Sequence, residues 1–558
     1  MQQELINQPV RQSRVGGIIG GLLFVPALLY GLVVLLWPSL RTISTSMMKT
    51  RFFGPGQWVG LENYRAMLSN GQVAGAVGFT ALLIGVRLIV VALVLTLLIW
   101  AFRQIGGRGR SAILWLFALP LALFSPTAMA IAWRTRFAGS MMLVSPDSAR
   151  WAFIGVDALL TFGVVLGIGA VCAYLLSYRQ PDGQTRRNPT LITVLCALFA
   201  VIALGLQSWS LGMALTNGGP QNATQSVSFL AYRISFQFMD FGSGAALNTI
   251  LMLIVGVLGV ITAVLLIANE VQIAPASPRA EPVGGGSRIA ALAVLAVLLL
   301  IGLFGLSPLF AAMRSSSGVL SLFGVPSSSS EFLPTEEVMR ASVLGFMPSL
   351  LSVLVVQVPF TYLTALAIGW LRPLGRYSEW LLLLLAPWLF MTDFPLALTF
   401  FEQYQRLGLL NSLAALQTPF LLCIPGVFVL TFFFKGHQPH WEAARQRQEP
   451  YAFLRLVLLP SLPLVIMLAV GLLIVQTRAL YWPFLMLNDP NLSVGTVTLI
   501  RLMSGFIADP AEISLLIAPL SLSFSAVWFV VLGVLLAFGL PGLHLRAGGE
   551  GASDHRLG

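Results

Sequence analysis

The stretch NEVQIAPASPRAEPVGGGSR, from Asn269 to Arg288, lies between two series of long apolar runs. It is rich in Pro, Gly, Ala and charged residues, a composition that cannot bury a core, so we expect it to behave as a flexible tether. Six apolar runs precede it and six follow it. The stretch therefore predicts a first half at residues 1–268, a cytoplasmic linker at 269–288, a second half at 289–545 and a cytoplasmic tail at 546–558.

The composition of the whole chain is that of a membrane protein. Of its 558 residues, 57% are hydrophobic and only 9% are charged, whereas an average soluble domain has about 25% charged residues. A membrane-spanning helix needs about 20 apolar residues. We therefore predict an all-α polytopic membrane protein with about 12 transmembrane helices in two equivalent six-helix halves. The predicted spans are 16–37, 75–101, 111–135, 151–177, 190–213, 243–269, 289–311, 345–370, 377–400, 412–435, 453–477 and 514–540.

The formal net charge of +11 does not indicate a nucleic-acid-binding protein. Its basic residues are scattered one to three at a time between apolar runs, rather than gathered on one face. They are more frequent in the connections that share a side with the N-terminus. Because positive charge marks the cytoplasmic side, we expect both termini to be cytoplasmic. We expect the chain to contact membrane lipid and to bind no nucleic acid.

No catalytic or metal-binding pattern is visible. Cys172, Cys196 and Cys423 all lie inside apolar runs and form no Cys-x-x-Cys or Cys/His cluster. His437 and His440 are three residues apart, but no Cys or carboxylate pattern completes a metal site. A phosphate-binding Gly-x-x-x-x-Gly-Lys-Ser/Thr loop is also absent from the sequence. We therefore predict no catalytic residue, no metal and no cofactor bound by this chain.

Polar residues inside predicted spans are the candidates for a solute path, since such residues are costly in a membrane unless they have a function or a partner. The stretch GLQSWS at Gly205 to Ser210 combines hydrogen-bonding side chains with an aromatic ring, the two components of a sugar site. The predicted path residues are Gln207, Ser208, Trp209, Asn248, Gln357, Tyr362 and Gln476.

Several of these polar residues also have a structural interpretation. Arg87 and Asp157 fit an intramembrane ion pair that holds the first half together. Gln357 stands beside Pro359, where its side chain could satisfy the backbone at a helix break. Asp393, near a predicted external boundary, fits a simply solvated carboxylate equally well.

Two motifs in the first half carry a family resemblance. WVGLENYRAML, from Trp58 to Leu68, follows the first span, and TNGGPQNATQSVSFLAYRISFQFMDFGSGAAL, from Thr216 to Leu247, precedes the last one. In this order and position they resemble the maltose-type sugar permeases, the membrane subunits of binding-protein-dependent ABC importers. In the second half, RLGLLNSLAALQTPFL (Arg406 to Leu421) and QTRALYWPFLMLNDPNLSVGTVTL (Gln476 to Leu499) resemble the partner permease of that pair.

The resemblance implies a fused pair of permeases in a bacterial-type plasma (inner) membrane. It also implies that ATP and Mg are bound by two partner nucleotide-binding ATPase subunits. An extracytoplasmic solute-binding protein would deliver a small polar solute, such as a sugar.

The resemblance further implies a segment that couples the permease to its ATPase. Glu442, Ala443, Ala444 and Arg445 match the start of the Glu-Ala-Ala loop of the family, whose short helix docks in a cleft of the ATPase. The family has a glycine where this chain has Gln448. In the first half the equivalent loop is Leu176 to Leu191, which lacks Glu-Ala-Ala; Asp182 and Gly183 there fit either a remnant of the family's Asp-Gly pair or a chance turn.

Two other functions remain open from the sequence. The chain also resembles the fused permeases of the ferric-iron or thiamine type, which likewise join two six-span units. Alternatively, the degenerate coupling loops fit a permease-like protein that serves as a structural or regulatory membrane subunit.

Overall fold

The computed structural model describes residues 14–49, 56–105, 107–177, 188–275, 285–314, 316–324, 333–504 and 509–548. Most of these residues are helical and very few are in strands, which confirms the predicted all-α membrane fold. Within the described ranges, eight helices are long and apolar enough to cross a membrane, and two sharply bent helix pairs raise the number to ten. The predicted count of 12 spans is not confirmed.

Among its described residues, the first half contains eleven α-helices and a short antiparallel strand pair. Strand β1 (Met48–Lys49) pairs antiparallel with β2 (Gln57–Trp58) just beyond the first span. The α-helices are α1 (Arg14–Tyr30), α2 (Trp37–Ser46), α3 (Glu62–Ser69), α4 (Gly71–Gln104), α5 (Gly107–Ala122), α6 (Pro126–Phe137), α7 (Pro146–Leu175), α8 (Pro189–Leu206), α9 (Ser210–Leu215), α10 (Val227–Tyr232) and α11 (Phe241–Ala268).

The second half follows strand β3 (Gln272–Pro275) and ends in strand β4 (Leu543–Arg546). Its α-helices are α12 (Gly285–Ala312), α13 (Ser316–Ser321), α14 (Thr335–Leu351), α15 (Val358–Leu366), α16 (Ala397–Arg406), α17 (Ile424–Gln446), α18 (Leu459–Thr477), α19 (Tyr481–Met486), α20 (Gly495–Ser504), α21 (Pro510–Ser521) and α22 (Ser525–Val534).

Short π-helical segments join several of these helices into continuous spans. Gly31–Leu36 connects α1 to α2, and Ser352–Gln357 connects α14 to α15. By contrast, α5 and α6 meet at 76°. Ser125 lies after the end of α5 and caps α6: its hydroxyl accepts a hydrogen bond from the Ala128 N–H, and Pro126 fits the first helical position.

Two predicted spans differ from regular membrane helices. Residues 377–400 contain the 3₁₀ helices Gly375–Leu384 and Ala386–Trp388, followed by turns up to α16. Pro387 lies in the second 3₁₀ helix and Pro395 in the turns that follow, and each removes a backbone N–H donor that an α-helix would use. Residues 412–435 are α-helical only from Ile424 onward, where α17 begins.

The two halves exchange their first helices. Helix α1 packs on α15 and the π segment Ala367–Leu371 of the second half, while α12 packs on α4 and α7 of the first half. At Gly20 of α1, a Cβ atom would lie 2.8 Å from the Cβ of Leu371, so glycine permits the close approach. Through this exchange the two halves share a large hydrophobic core.

Part of the predicted flexible linker is ordered. Strand β3 pairs antiparallel with β4, with Ile273 opposite Leu545. Val271 and Ile273 are buried, and a Cβ at Gly436 of α17 would lie 2.1 Å from the Ile273 carbonyl oxygen. The prediction of a flexible tether is therefore wrong for 271–275, because a partner strand satisfies its backbone and α17 covers its apolar side chains. Residues 276–284 and 549–558 lie outside the described residues.

Candidate functional site

A cavity of about 620 Å³ lies between the two halves. Its size falls in the range of small-molecule sites in proteins. Of the predicted path residues, the structure brings five to its wall, and Asn248 and Tyr362 lie elsewhere. Those five are Gln207, Ser208 and Trp209 of the first half and Gln357 and Gln476 of the second.

Gln207 joins the first half to the second through its side-chain amide. The residue ends helix α8, and its Nε2 donates to the Ala203 and Phe390 carbonyl oxygens, both at 2.9 Å. Its Oε1 accepts from the Thr392 N–H at 2.8 Å and from the Thr392 hydroxyl at 2.9 Å. The amide is thus hydrogen-bonded at both of its ends within the protein, which gives it a structural role at the cavity wall.

Arg478 occupies the corresponding position in the second half, where it ends helix α18. The backbone angles of the two residues nearly coincide: φ −105°, ψ 6° at Gln207 and φ −112°, ψ 6° at Arg478. Each break is followed by a six-residue helix, α9 or α19. Arg478 also crosses to the other half, since its guanidinium donates to the Phe124 carbonyl oxygen at 2.6 Å.

Sequence analysis did not propose Arg478, although it lines the cavity and is only 4% exposed. Its neighbour Gln476 was chosen because it is polar within a predicted span, whereas Arg478 lies one residue past the predicted end of that span. The correspondence between Gln207 and Arg478 is visible only in the structure, where each ends a long helix with nearly the same backbone angles.

Arg87 and Asp157 form an ion pair between α4 and α7, beside the cavity. The Arg87 Nε donates to Asp157 Oδ2 at 2.7 Å, and its Nη2 donates to Asp157 Oδ1. Nη2 also donates to the Ser208 hydroxyl at 3.0 Å. The Asp157 side chain is only 1% exposed, so each charge is neutralised by the other, and Ser208 is held by the pair.

Trp209 is enclosed in an aromatic cluster and does not present an open ring face to a sugar. Its ring centroid lies 5.0 Å from that of Tyr232 and 4.8 Å from that of Tyr481. The indole is 2% exposed, and its N–H has no hydrogen-bond partner among the described residues. That rings of the second half, Tyr481 and Phe484, would cover Trp209 could not be foreseen from the sequence.

Gln357 and Gln476 are hydrogen-bonded to each other across two spans. The Gln476 Nε2 donates to Gln357 Oε1 at 2.8 Å, and the Gln357 Nε2 donates to the Ser352 hydroxyl at 2.9 Å. Gln357 closes the π segment before α15, where the helix continues without a break, and its amide is bonded to two side chains rather than to a backbone group. The Gln476 Oε1 keeps no partner in the described part of the chain.

The two remaining predicted path residues pack away from the cavity. Asn248 is 2% exposed on α11, near the helix start where Gly242 and Gly244 allow close packing. A Cβ at Gly242 would lie 2.1 Å from the Met48 carbonyl oxygen, and one at Gly244 2.0 Å from the Ser235 hydroxyl. The Tyr362 hydroxyl lies 3.2 Å from that of Ser461.

Asp393 lies on the cavity wall, which differs from a simply solvated position outside the spans. It follows Thr392, the partner of Gln207, in the turn before α16. Its side chain is partly exposed and forms no ion pair with a described residue. The wall therefore carries a carboxylate from the second half as well as the guanidinium of Arg478.

Comparison with curated proteins finds transport permeases. The sn-glycerol-3-phosphate transport system permease protein of Agrobacterium fabrum is 26% identical over 274 residues, which cover 43% of this chain and 91% of that protein. The multiple sugar-binding transport system permease protein of Streptococcus mutans is 26% identical over 233 residues, or 37% of this chain and 79% of that protein. The chain is a homologue of sugar ABC transporter permeases.

A further relative is the sulfoquinovosyl glycerol transport system permease protein of Agrobacterium fabrum, 22% identical over 269 residues that cover 42% of this chain and 85% of that protein. No family model matches the chain. Each relative is covered almost completely by less than half of this permease, so its 558 residues have the length of two such proteins joined together.

The predicted coupling residues of the permease lie at the end of helix α17. Glu442 to Arg445 form the last turns of this 23-residue helix rather than a separate short helix. The side chains of Arg445, Arg447 and Gln448 are exposed there, while Ala444 is buried. We call residues 442–448 the coupling tip.

The end of the coupling tip explains the glycine that the family has at the position of Gln448. The Gln448 N–H donates to the Arg445 carbonyl oxygen at 3.0 Å, and the Glu449 N–H donates to that of Ala444 at 3.1 Å. This pair of bonds is a Schellman motif, which requires a left-handed residue after the helix. Gln448 adopts that conformation with φ 56°, which favours glycine and is strained for glutamine.

Neighbouring side chains hold the coupling tip against the preceding span. The Trp441 and Trp370 rings lie 4.9 Å apart, and the Arg445 guanidinium lies 5.3 Å from the Trp441 ring centroid. Burial raises the pKa of the Glu442 carboxyl, and the charge of Arg372 opposes that shift. Asp182 and Gly183, the candidates in the first half, lie outside the described residues.

Proposed function

We propose that the chain is the fused permease of an ABC importer that moves a carbohydrate or a related small polar solute. The observation that carries the proposal is the cavity between the halves, whose wall combines polar side chains from both. Many transporters bind their substrate near the bilayer midplane, between two related halves. The relatives agree with a polyhydroxylated solute, since their names specify glycerol 3-phosphate, multiple sugars and sulfoquinovosyl glycerol.

The proposed transport cycle uses alternating access. An extracytoplasmic solute-binding protein delivers the solute, and the halves rock so that the cavity opens to one side at a time. The residues that join the halves at the cavity, Gln207 and Arg478, lie where that motion would change contacts. Hydrolysis of ATP, with Mg, takes place on two separate nucleotide-binding subunits, so this chain acts as a transport subunit rather than an enzyme.

The ATPase subunits dock on the coupling tip. Its exposed Arg445 and Arg447 supply charge for the contact. The β3–β4 sheet packs against the same end of α17, through Gly436. This proximity supports a cytoplasmic location for the coupling tip, the linker and the C-terminal end together.

Affinity purification of the chain from its native membrane tests this proposal. We expect two ATPase subunits and one solute-binding protein to be purified with it. The double variant Glu442→Ala/Arg445→Ala should lose the ATPase subunits while its own unfolding midpoint stays close to that of the wild type. Glu336→Ala, which removes an exposed carboxylate at the start of α14, is the matched control and should retain them.

The result also separates the alternatives. Retention of the ATPase by the double variant would place docking elsewhere. If neither ATPase nor binding protein is recovered with the wild-type chain, the importer proposal fails and a structural or regulatory membrane subunit becomes the better explanation.

A further inference from the structure

Two buried arginines line the cavity, and they differ in what neutralises them. Arg87 is paired with the Asp157 carboxylate. Arg478 is equally well buried, at 4% exposure, yet it forms no ion pair with any carboxylate in the described part of the chain. The second half therefore places an uncompensated positive charge on the wall of the proposed solute path.

The hydrogen bonds of Arg478 fix its position without neutralising its charge. Its Nη1 donates to the Phe124 carbonyl oxygen at 2.6 Å, and its Nη2 donates to the Ser525 hydroxyl at 2.7 Å. Both acceptors are neutral. The Ser525 hydroxyl in turn donates to the Leu522 carbonyl oxygen at 2.5 Å. Since a guanidinium carries five N–H groups, these two bonds orient the Arg478 side chain and leave other N–H groups of it able to donate to a solute.

A guanidinium held in this way is suited to bind an oxyanion. Burial of an unpaired charge is unfavourable, and an intramembrane charge without a partner commonly marks a substrate path. The planar fork of N–H donors matches phosphate, sulfonate and carboxylate groups. A solute that brings such a group to the cavity would supply the missing counter-charge.

Two acceptor groups of the cavity lining bear on the rest of the solute's chemistry. Asp393 and Gln476 both line the cavity; Asp393 forms no ion pair, and the buried Gln476 Oε1 has no hydrogen-bond partner, among the described residues. Both can accept hydrogen bonds from hydroxyl groups. The negative charge of Asp393 also opposes a second anionic group near it.

We propose that Arg478 binds the anionic group of a polyhydroxylated solute, while Asp393 and Gln476 accept hydrogen bonds from its hydroxyl groups. This inference rests on the proposed function, because it specifies the solute class of the same cavity. It makes Arg478 a specificity-determining residue of the permease.

The test is a titration of the full chain in lipid nanodiscs, with the unfolding midpoint followed by intrinsic fluorescence. The anionic probes are sn-glycerol 3-phosphate and glucose 6-phosphate, glycerol and glucose are their uncharged counterparts, and inorganic phosphate is the bare anion. All titrations are made at one ionic strength. The variants are Arg478→Gln, Arg478→Lys and the control Arg65→Gln, which removes an exposed arginine on α3.

At least one anionic polyol should raise the midpoint of the wild type and of Arg65→Gln at the same concentrations. Arg478→Gln should need at least about tenfold more of this polyol for the same rise in the midpoint, which is the usual loss of affinity when a hydrogen bond to a charged group is removed. Arg478→Lys should lie between the two, since it keeps the charge but not the fork. The uncharged counterpart and inorganic phosphate should each bind the wild type at least about tenfold more weakly than the polyol phosphate.

Several outcomes overturn the inference: equal responses of wild type and Arg478→Gln, equal binding of charged and uncharged probes, or no response of the wild type to either polyol phosphate. If inorganic phosphate binds as tightly as the polyol phosphates, the hydroxyl contacts are wrong. If Arg478→Gln does not unfold cooperatively, the affinity of Arg478→Lys for the polyol phosphate is compared with that of the wild type. An affinity equal to that of the wild type contradicts the inference.

Failure of this inference is distinguishable from failure of the proposed function. Tight binding of glucose that is independent of Arg478 would keep a carbohydrate permease and reject the anionic solute. Absence of ATPase subunits from the purified complex would reject the importer, whatever binds to Arg478.

Discussion

Helices α8 and α18 end in the same way in the two halves, but with different chemistry. Gln207 and Arg478 have nearly the same backbone angles, and each reaches across to the opposite half. The Gln207 amide is hydrogen-bonded at both ends. Arg478 has two neutral acceptors and no carboxylate within the described residues. Gln207 therefore connects the halves through a neutral amide. Arg478 also connects them, and in addition it places a positive charge on the cavity wall.

The two halves therefore contribute different chemical groups to the wall of the same cavity. The first half neutralises its own buried arginine with Asp157 and fixes its helix end with Gln207. The second half leaves Arg478 and Asp393 without an ion pair among the described residues of the cavity wall, and it places Gln448 in a strained left-handed conformation after helix α17.

The largest effect is expected from breaking the Arg87–Asp157 pair. Asp157→Asn leaves a buried guanidinium without its counter-charge, which should lower the free energy of unfolding by about 3–5 kcal/mol. Denaturant unfolding in detergent measures the change. The double variant Arg87→Met/Asp157→Leu should recover most of the loss, because both charges are then removed. A loss below about 1 kcal/mol for Asp157→Asn would show that the pair carries little stability.

The next effect compares the two helix ends directly. Gln207→Leu leaves the Thr392 N–H and the Phe390 carbonyl oxygen without partners, at a cost of about 1–3 kcal/mol. Arg478→Met removes an uncompensated charge together with its two bonds, so its stability should change by less than about 1 kcal/mol. The same unfolding assay ranks them. A larger loss of unfolding free energy for Arg478→Met than for Gln207→Leu would contradict the different roles assigned to the two helix ends.

A smaller effect is expected at the coupling tip. Gln448→Gly should raise the free energy of unfolding by about 1 kcal/mol, because glycine adopts φ 56° without strain. Arg447→Gly is the matched control. Arg447 has φ −82°, so glycine there should give no gain and a small loss. If both variants change stability equally, the left-handed backbone at Gln448 is not a source of strain.

The last prediction is a pH dependence, and it concerns the β3–β4 sheet and the part of α17 that packs on it. Burial lowers the pKa values of His437 and His544 from 6.5 to about 4. The unfolded chain then binds protons at higher pH than the folded chain, so stability is lost as the pH falls from about 6.5 towards 4. Unfolding midpoints between pH 7 and 5 measure the loss. His544→Gln should reduce this pH dependence, and a dependence identical to the wild type would exclude His544 as its source.

Much of the fold could be predicted because membrane helices are specified by local composition. Apolar runs of about 20 residues can satisfy their backbone only as helices in a membrane, so the spans around α4, α7 and α11 were found without knowledge of their neighbours. The 3₁₀ segments at 375–388 were missed, since the same apolar composition is compatible with several helix types. Strand β3 was missed because its partner, β4, lies about 270 residues further along the chain.

The site was only partly predictable for a similar reason. Polar residues inside spans, such as Gln357 and Gln476, are visible in the sequence, and the structure brings them to the cavity. Whether a side chain is already hydrogen-bonded depends on the other half, so the bonds of Gln207 to Thr392 could not be foreseen. Arg478 was missed because an arginine at a span boundary resembles an ordinary solvated residue until the packing around it is known.

The central claim is that the cavity between the halves is the solute path of an ATP-driven importer. Uptake into proteoliposomes tests it, with the purified complex, enclosed ATP and the solute released from the copurified binding protein. Val475 lines the cavity and is 55% exposed, so Val475→Trp should obstruct the path without displacing packed neighbours.

Val429→Trp is the matched control, since Val429 is 45% exposed on α17 and does not line the cavity. We expect ATP-dependent uptake by the wild type and by Val429→Trp, and loss of uptake by Val475→Trp with the complex still intact. Uptake by Val475→Trp at the wild-type rate would contradict the account, because the solute would then cross the membrane by another route.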